Sequence, residues 1–143
     1  MGKEVLENRL PTPSEYVRLR KYAGWGNINE KTAKKSLKHS VFSISILDNG
    51  ELVGFGRIVG DGVLFFYVSD VIVHPTAMGK GYGNIIMDGI RTYLKENALP
   101  QSSIGLLAAP NKEEFYKKYG FTKCPNEIFG SGMSYLEIIG KKW

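Results

Sequence analysis

Three alternating glycines, Gly79, Gly81 and Gly83, are the residues of this chain whose spacing most clearly points to chemistry. Glycine lets the backbone turn sharply and come close to a ligand. Ile86 and Ile90 share one face of a helix predicted to follow at once. The first N–H groups of a helix lack intrahelical partners and carry the positive end of its dipole. The combination therefore predicts a site for an anion such as a phosphate or a pyrophosphate.

The stretch before this turn is predicted to be a strand that carries one carboxylate. Val71, Ile72 and Val73 form a β-branched run, which favours a strand, and Pro75 ends it. Asp70 stands at the start of that run. A carboxylate in a central strand is costly to bury without a partner. Asp70 is therefore expected either at a cleft or in well-formed hydrogen bonds.

Two well-known phosphate motifs do not fit the turn. A P-loop needs a glycine five residues before its Gly-Lys pair and a Ser or Thr after it, but this chain has His74 and Gly81 there. A dinucleotide fingerprint needs a third glycine where this chain has Asn84. The turn thus predicts an anion site of another kind, and a glycine-rich turn without a ligand is the alternative.

Length and composition indicate one ordinary globular domain. The chain has 143 residues, of which 43% are hydrophobic and 23% charged. Its longest apolar run, 63–68, is too short to cross a bilayer, so no membrane partner is expected. The single Cys124 excludes an internal disulfide framework, and two histidines make a metal site unexpected. With no secretory signal at the N-terminus, these features predict a cytoplasmic location.

The formal net charge of +5 is compatible with two kinds of anionic partner, nucleic acid and an anionic cofactor. Lys31, Lys34, Lys35 and Lys38 come closest to a basic run, and their helical spacing fits a solvated helix face. Nothing resembles a zinc finger or an RNA-binding aromatic motif. We therefore expect no nucleic-acid partner, and a basic nucleic-acid-binding module is the alternative.

Local signals predict two helices, then an antiparallel meander. Thr12 and Glu15 have capping-box spacing, Gly24 ends that helix, and Asn29 is the predicted cap of a second helix. Alternation in 42–46 predicts a half-buried strand, and Asp48-Asn49-Gly50 predicts a hairpin. The third strand of the meander, predicted at 63–73, is mostly apolar, which predicts cover on both of its faces. Further predicted elements are strands at 52–59, 103–109 and 133–139, a helix at 81–97, and a helix capped by Asn111 that ends at Gly120.

Two segments together resemble motifs of the GCN5-related N-acetyltransferases. The stretch MGKGYG at 78–83 is similar to that family's Q/R-x-x-G-x-G/A pyrophosphate loop, with Met78 where Gln or Arg is usual. Asn111 followed by FYKKYGF at 115–121 resembles a second segment of the family. The resemblance is strongest from 70 to 121. It implies a single N-acetyltransferase domain over residues 1–143.

The resemblance also implies a fold and a cosubstrate. The fold is α/β, of the acyl-CoA N-acyltransferase type: a twisted mixed sheet with helices on both faces, splaying near the strand that ends at Val73. Acetyl-CoA is the implied cosubstrate, without a metal. The resemblance places at the cofactor Val71, Ile72, Val73, Met78, Gly79, Lys80, Gly81, Tyr82, Gly83, Asn84, Asn111 and Phe115.

The implied activity is direct transfer of an acetyl group to a primary amine of a small molecule in a ternary complex. Asp70 is the candidate general base, because burial would raise the pKa of its carboxyl towards a useful range. A structural carboxylate is the alternative. By its place in the motif, Tyr116 is the candidate acid for the leaving thiolate, and simple packing is the alternative.

The acceptor amine is not identified by the sequence. Tyr16, Trp25 and Phe66 are the candidate substrate contacts, with core packing as the alternative. The Gly24-Trp25-Gly26 stretch is similar to the small aralkylamine, or serotonin, branch of the family. Because the family often dimerises, a homodimer is an expectation. A non-catalytic acyl-CoA sensor or interaction module is the alternative function.

Overall fold

The computed structural model describes residues 2–136. The chain divides into two compact units, Met1–Leu106 and Leu107–Trp143. The first unit contains a five-stranded sheet and three helices. The single domain over 1–143 stays a prediction. The elements are β1 Lys3–Glu7, α1 Pro13–Tyr22, α2 Glu30–Leu37, β2 Ser40–Asp48, β3 Glu51–Gly60, β4 Phe65–Val73, α3 Tyr82–Asn97, β5 Ser103–Gly105 and, in the second unit, α4 Glu113–Lys117.

The sheet is mixed, with the strands in sequence order from β1 to β5. The first four strands are antiparallel, and β5 runs parallel to β4. β1 was not predicted from the sequence: it is a short, largely exposed edge strand without an apolar pattern. A two-residue turn at Asn49 and Gly50 joins β2 to β3, and both residues have a positive φ, as the hairpin prediction requires.

Helices cover both faces of this sheet, which confirms the predicted fold. On one face, α1 and α2 pack with Leu52, Phe55 and Ile72 in one apolar cluster. On the other face, α3 lies against β2 and β3. A Cβ at Gly89 of α3 would be 2.6 Å from Cδ1 of Ile44, so the helix approaches the sheet closely because this position has no side chain.

The helix signals near the N-terminus are confirmed in detail. The hydroxyl of Thr12 accepts a hydrogen bond from the N–H of Glu15 at 3.1 Å, and the Glu15 carboxylate accepts one from the N–H of Thr12 at 2.9 Å. The Asn29 side chain accepts a hydrogen bond from the N–H of Thr32 at 2.8 Å and caps α2. These caps satisfy amides that the first turn of each helix leaves open.

Two predictions about strand burial are wrong. β2 is buried on both faces, because Ser43 and Ser45 lie beneath the helical layer and the Ser45 hydroxyl donates a hydrogen bond to the carbonyl of Arg9. β4 is not covered on both faces: Phe65 is 59% exposed and Tyr67 is 39% exposed, while Phe66 between them is buried. An apolar run alone does not fix how many faces of a strand are covered.

Three predictions about the C-terminal part also need correction. β5 covers only Ser103–Gly105, much less than the predicted 103–109. Asn111 does not cap α4: it has a φ of +68° in the preceding turn, and the N-cap is Lys112 without a side-chain bond. Residues 133–136 form no strand, and the rest of the predicted closing strand, 137–139, lies outside the described residues.

Candidate cofactor and catalytic site

The glycine turn lies between the end of β4 and the start of α3, as predicted. His74 caps a short 3-10 helix, Pro75–Ala77, through its Nδ1 atom, which accepts the N–H of Thr76 at 3.1 Å. Gly79 and Gly81 follow with φ values of +81° and +79°. Both positions need the left-handed backbone that favours glycine. A Cβ at either would meet no heavy atom within 4 Å, so the turn is open.

The first amides of α3 are directed towards this open turn. Gly81 is the N-cap and offers no side-chain acceptor to them. The first backbone bond of the helix runs from the N–H of Ile85 to the carbonyl of Gly81, at 3.1 Å. A helix of 16 residues therefore places its first amides and the positive end of its dipole at the glycine turn. This arrangement can accept a phosphate oxygen.

Lys80 adds an exposed positive charge to the turn. Its Nζ lies 3.7 Å from Oδ2 of Asp48, and its side chain is 53% exposed. The hydroxyl of Tyr82 makes a long 3.4 Å hydrogen bond to the same oxygen. Exposed ion pairs contribute little stability, so Lys80 can exchange Asp48 for another anion at little cost. Met78, which replaces the usual Gln or Arg, is 62% exposed at the entrance.

β4 continues past its short pairing with β5. The two strands pair only through Phe65, Phe66 and Tyr67 of β4, while β4 runs on to Val73. The predicted splay between strands stays a prediction, because β5 itself ends at Gly105. The predicted cofactor contacts Val71, Ile72 and Val73 lie beyond the paired part of β4 and share the strand with Asp70. Their contacts with a cofactor stay predictions.

Asp70 is buried and lies in a network of positive charge. Only 6% of the residue is exposed. Its Oδ2 accepts hydrogen bonds from the hydroxyl of Tyr16 at 2.6 Å and from Nε of Arg57 at 2.8 Å. Nη1 of Arg20 lies 3.8 Å from the other oxygen. The carboxylate is therefore well satisfied by side-chain donors, and its role as a general base stays a prediction.

The network also perturbs Tyr16. Burial raises the pKa of its phenol, and the negative charge of Asp70 raises it further. Tyr16 consequently keeps its proton, and its hydroxyl donates a hydrogen bond to the carboxylate. Neither Arg57 nor Arg20 was singled out from the sequence. The signal available there was Asp70 itself, since a buried carboxylate in a strand needs a cationic or hydrogen-bonding partner.

Two of the three predicted substrate contacts lie in the core. Tyr16 is 2% exposed and belongs to the cluster under α1 and α2, with its ring edge against Phe55. Phe66 is also 2% exposed. Burial keeps both side chains away from an acceptor in this structure, and Tyr16 is also held by its hydrogen bond to Asp70. Trp25 is only partly buried: its carbonyl accepts a hydrogen bond from Arg20 at 2.7 Å, and its substrate role stays a prediction.

The second unit carries the remaining predicted residues. Phe115 contacts Tyr116 and Tyr119 edge to face, with ring centroids 5.1 and 5.5 Å apart. Tyr116 also approaches Phe121 at 6.4 Å. This aromatic group explains the Phe-Tyr spacing of the motif as local packing. The catalytic role of Tyr116 and the cofactor contacts of Asn111 and Phe115 stay predictions.

Residues 2–136 contain neither a cluster of metal ligands nor a membrane-spanning helix. In that part of the chain no three His, Cys, Asp or Glu side chains are grouped so that they could hold a metal ion. Likewise, none of the helices described there is long and apolar enough to span a membrane.

Comparison with known proteins identifies the family. The sequence model of the "Acetyltransferase (GNAT) domain" family matches residues 16–138. The chain therefore belongs to the GNAT family of acetyltransferase domains. A protein of unknown function from meticillin-resistant Staphylococcus aureus, titled a probable acetyltransferase, has a structure similar to this one: the TM-score is 0.82 at 29% identity, covering 93% of this chain and 99% of that one.

Curated relatives add more specific similarities. The chain is 34% identical over 111 residues to the uncharacterized N-acetyltransferase ycf52 of Porphyra purpurea, covering 75% of this chain and 63% of that protein. It is 32% identical over 111 residues to serotonin N-acetyltransferase 2, chloroplastic, of Oryza sativa, covering 75% of this chain and 54% of that protein. The chain thus spans somewhat over half the length of these relatives.

Proposed function

We propose that this chain transfers an acetyl group from acetyl-CoA to a primary amine of a small molecule. One observation carries the proposal: an open glycine turn connects the end of β4 to the N-terminus of α3. Membership of the GNAT family supports it, because that family generally uses acetyl-CoA as cosubstrate. Acetyl-CoA supplies the acetyl group as a thioester, already activated for attack by an amine.

In this proposal the chain's own residues bind and orient acetyl-CoA. The amides at 79–84 receive the diphosphate, and Lys80 turns from Asp48 to an added anion. The backbone of 71–73, on the part of β4 beyond its pairing with β5, holds the acyl arm. The open space at Gly79 and Gly81 fits this role, because a backbone without side chains allows a phosphate to approach closely.

Proton transfer is assigned to two places. The attacking amine must lose a proton, since an ammonium group has no lone pair. The bonds from Tyr16 and Arg57 to Asp70 support water, rather than this carboxylate, as the direct acceptor. The Tyr116 phenol is the proposed acid, which donates a proton to the leaving sulfur.

The acceptor is proposed to be an arylalkylamine. The support is the name of the rice relative, a serotonin N-acetyltransferase, together with the partly exposed Trp25 after α1. A polyamine, an amino sugar and a peptide amine are the competing acceptors. A homodimer and a cytoplasmic location belong to the proposal as well, and the chloroplastic rice relative makes a plastid the competing location.

Calorimetric titration with acetyl-CoA, followed by thiol release over a panel of these four amine classes, tests the proposal. Gly81→Asn tests the site, because Asn tolerates the left-handed backbone but places a side chain in the turn. Gly62→Asn is the matched control, at a left-handed glycine of the β3–β4 turn. We expect Gly81→Asn to weaken acetyl-CoA binding and Gly62→Asn to preserve it. Absence of binding by the unmodified chain would refute the proposal.

The second candidate function is an acyl-CoA sensor without catalysis. The observation that favours it is the fully engaged carboxylate of Asp70, which leaves no obvious free base on β4. Binding of acetyl-CoA without thiol release for any amine would support the sensor. Loss of release in Tyr116→Phe, with unchanged binding, would support the enzyme.

A further inference from the structure

We propose that Asp70, Tyr16 and Arg57 are positioning residues that hold a bulge in β4 and thereby aim the backbone of 71–73 at the cofactor. The inference rests on the proposed function for its ligand, acetyl-CoA. It gives Asp70 a role different from that of a general base. It also gives roles to Tyr16, which the core encloses, and to Arg57, which no sequence motif marks.

The bulge is defined by the pairing of β3 with β4. Phe55 pairs with Ile72, and Arg57 pairs with Ser69. Gly56 therefore faces two residues of β4, Asp70 and Val71, where a regular ladder would place one. An extra residue on one strand is a β-bulge, which bends the strand and re-aims the residues after it. We call this feature the Asp70 bulge.

Asp70 occupies the bulge in a conformation that needs support. Its φ is +59°, in the left-handed region where glycine is usual. Aspartate tolerates this region better than most residues, but the conformation still costs free energy and persists only when its surroundings enforce it. The network around the carboxylate supplies that enforcement.

The network joins the bulge to four other elements. Arg57 on β3 and Tyr16 on α1 both donate to Oδ2 of Asp70. Arg57 also donates through Nη1 to the carbonyl of Ser36 at 3.1 Å and through Nη2 to the hydroxyl of Ser36 at 3.0 Å, at the end of α2. A further bond from Nη1 reaches the hydroxyl of Ser40 on β2 at 3.2 Å. The carboxylate is thereby fixed to α1, α2, β2 and β3 together.

The opposite face of the bulge meets α3. A Cβ at Gly56 would lie 2.6 Å from Cγ2 of Ile86 and 3.3 Å from Cδ1 of Ile90, with Cγ2 of Val71 at 3.6 Å. The helix that begins at the glycine turn is therefore packed directly on the bulge. A change in the bulge therefore alters two parts of the proposed cofactor site. One is the stretch of β4 beyond its pairing with β5, and the other is the sheet surface on which α3 packs.

Tyr16→Phe is the decisive variant, because it removes one hydroxyl and keeps the ring. Its matched control is Ser45→Ala, which removes a buried hydroxyl bonded to Arg9 on the same face of the sheet, on a strand that does not pair with β4. We expect Tyr16→Phe to raise the Kd for acetyl-CoA and the KM by about tenfold, and Ser45→Ala to change both less than about twofold. Equal Kd values for the two variants would overturn the proposal.

Amide hydrogen exchange without ligand separates this inference from the proposed function. We expect the amides of Ile72 and Val73 to exchange faster in Tyr16→Phe than in Ser45→Ala. The two variants are compared under conditions that give them the same global free energy of unfolding. Unchanged exchange at these two amides would overturn the inference even if acetyl-CoA binds. Failure of the unmodified chain to bind acetyl-CoA would instead refute the proposed function, and the exchange comparison would still decide whether the network holds the bulge.

Asp70→Asn distinguishes positioning from direct proton transfer. A positioning role predicts that Tyr16→Phe and Asp70→Asn raise KM together. In both variants the fall of kcat at low pH should then stay as it is in the unmodified protein. A base role predicts that Asp70→Asn alone removes this fall, whereas Tyr16→Phe keeps it. The second pattern would overturn the proposal. If Asp70→Asn fails to fold, the comparison of Tyr16→Phe with Ser45→Ala still decides the question.

Discussion

The hydroxyl of Tyr16 lies 2.6 Å from the carboxylate oxygen Oδ2 of Asp70, a residue 54 positions further along the chain. This bond joins the first helix to the strand that precedes the glycine turn. Both residues are buried, so the bond is shielded from water. Its loss leaves a buried carboxylate oxygen without one of its hydrogen-bond donors.

Removal of this hydroxyl should lower the free energy of unfolding. We expect Tyr16→Phe to destabilise the protein by about 1–3 kcal/mol, the cost of losing a buried hydrogen bond to a charged acceptor. Tyr22→Phe on the same helix is the control: Tyr22 is 51% exposed and stacks edge-on against His74, so its change should stay within about 0.5 kcal/mol. Urea unfolding measures both, and equal values would contradict the prediction.

Arg57 and Asp70 should be energetically coupled. Arg57→Met removes a buried cation and leaves the Asp70 charge short of a partner, which should cost about 3–5 kcal/mol. The double variant Arg57→Met/Asp70→Asn removes both charges, so its loss should be smaller than the sum of the two single losses. A double-mutant cycle from urea unfolding provides the coupling energy. Simple additivity would show that the pair contributes nothing beyond its separate parts.

Glu15 should contribute to acid sensitivity. Burial raises the pKa of its carboxyl, but hydrogen bonds from Thr12 and Arg9 and the charge of Arg9 outweigh this, so the pKa falls below its ordinary 4.5. A lowered folded-state pKa gives stability that is present above 4.5 and is lost as the pH falls through the folded value. The unfolding free energy should therefore decline less steeply between about pH 5 and 3 in Glu15→Gln.

Gln can keep the capping box in this variant, so a change at neutral pH should be small. The comparison is made by urea unfolding at several pH values. Parallel declines in the two proteins would show that the Glu15 carboxyl does not carry the effect.

Gly56 should tolerate no side chain. Its Cβ would be 2.6 Å from Cγ2 of Ile86, an overlap that should cost Gly56→Ala about 1–3 kcal/mol. Gly105→Ala is the control, since its Cβ would meet nothing within 4 Å. Ile86→Leu, which lacks the clashing Cγ2, should partly restore Gly56→Ala. Thermal or urea unfolding measures all three, and a stable Gly56→Ala would mean that α3 can move away from the sheet.

Local features were predictable because their signals lie within a few residues. The capping box at Thr12, the hairpin at Asn49-Gly50 and the turn before α3 each depend on neighbours in sequence. The shared face of Ile86 and Ile90 on α3 is confirmed for the same reason. Family membership was predictable because two motifs occurred at a specific separation.

Long-range features were not predictable from one sequence. The Asp70 bulge depends on the register of β3 against β4, which no local pattern specifies. The partners of Asp70 come from α1 and β3, and the burial of Tyr16 follows from that pairing. The length of β5 was overestimated because apolar residues continue after its last pairing at Gly105. Such properties depend on which distant segments meet.

The close approach of α3 to the sheet has a consequence for the entropy of binding. Gly56 on β3 lies against Ile86 of α3, and Gly89 of α3 lies against Ile44 on β2, so the N-terminal half of α3 packs closely on the sheet. Amides that are already ordered lose little conformational freedom when an anion arrives. The glycines of the turn leave space for the ligand, while Gly56 and Gly89 allow the close packing that holds the helix amides in place. Glycine thus favours preorganisation of the site in two different ways.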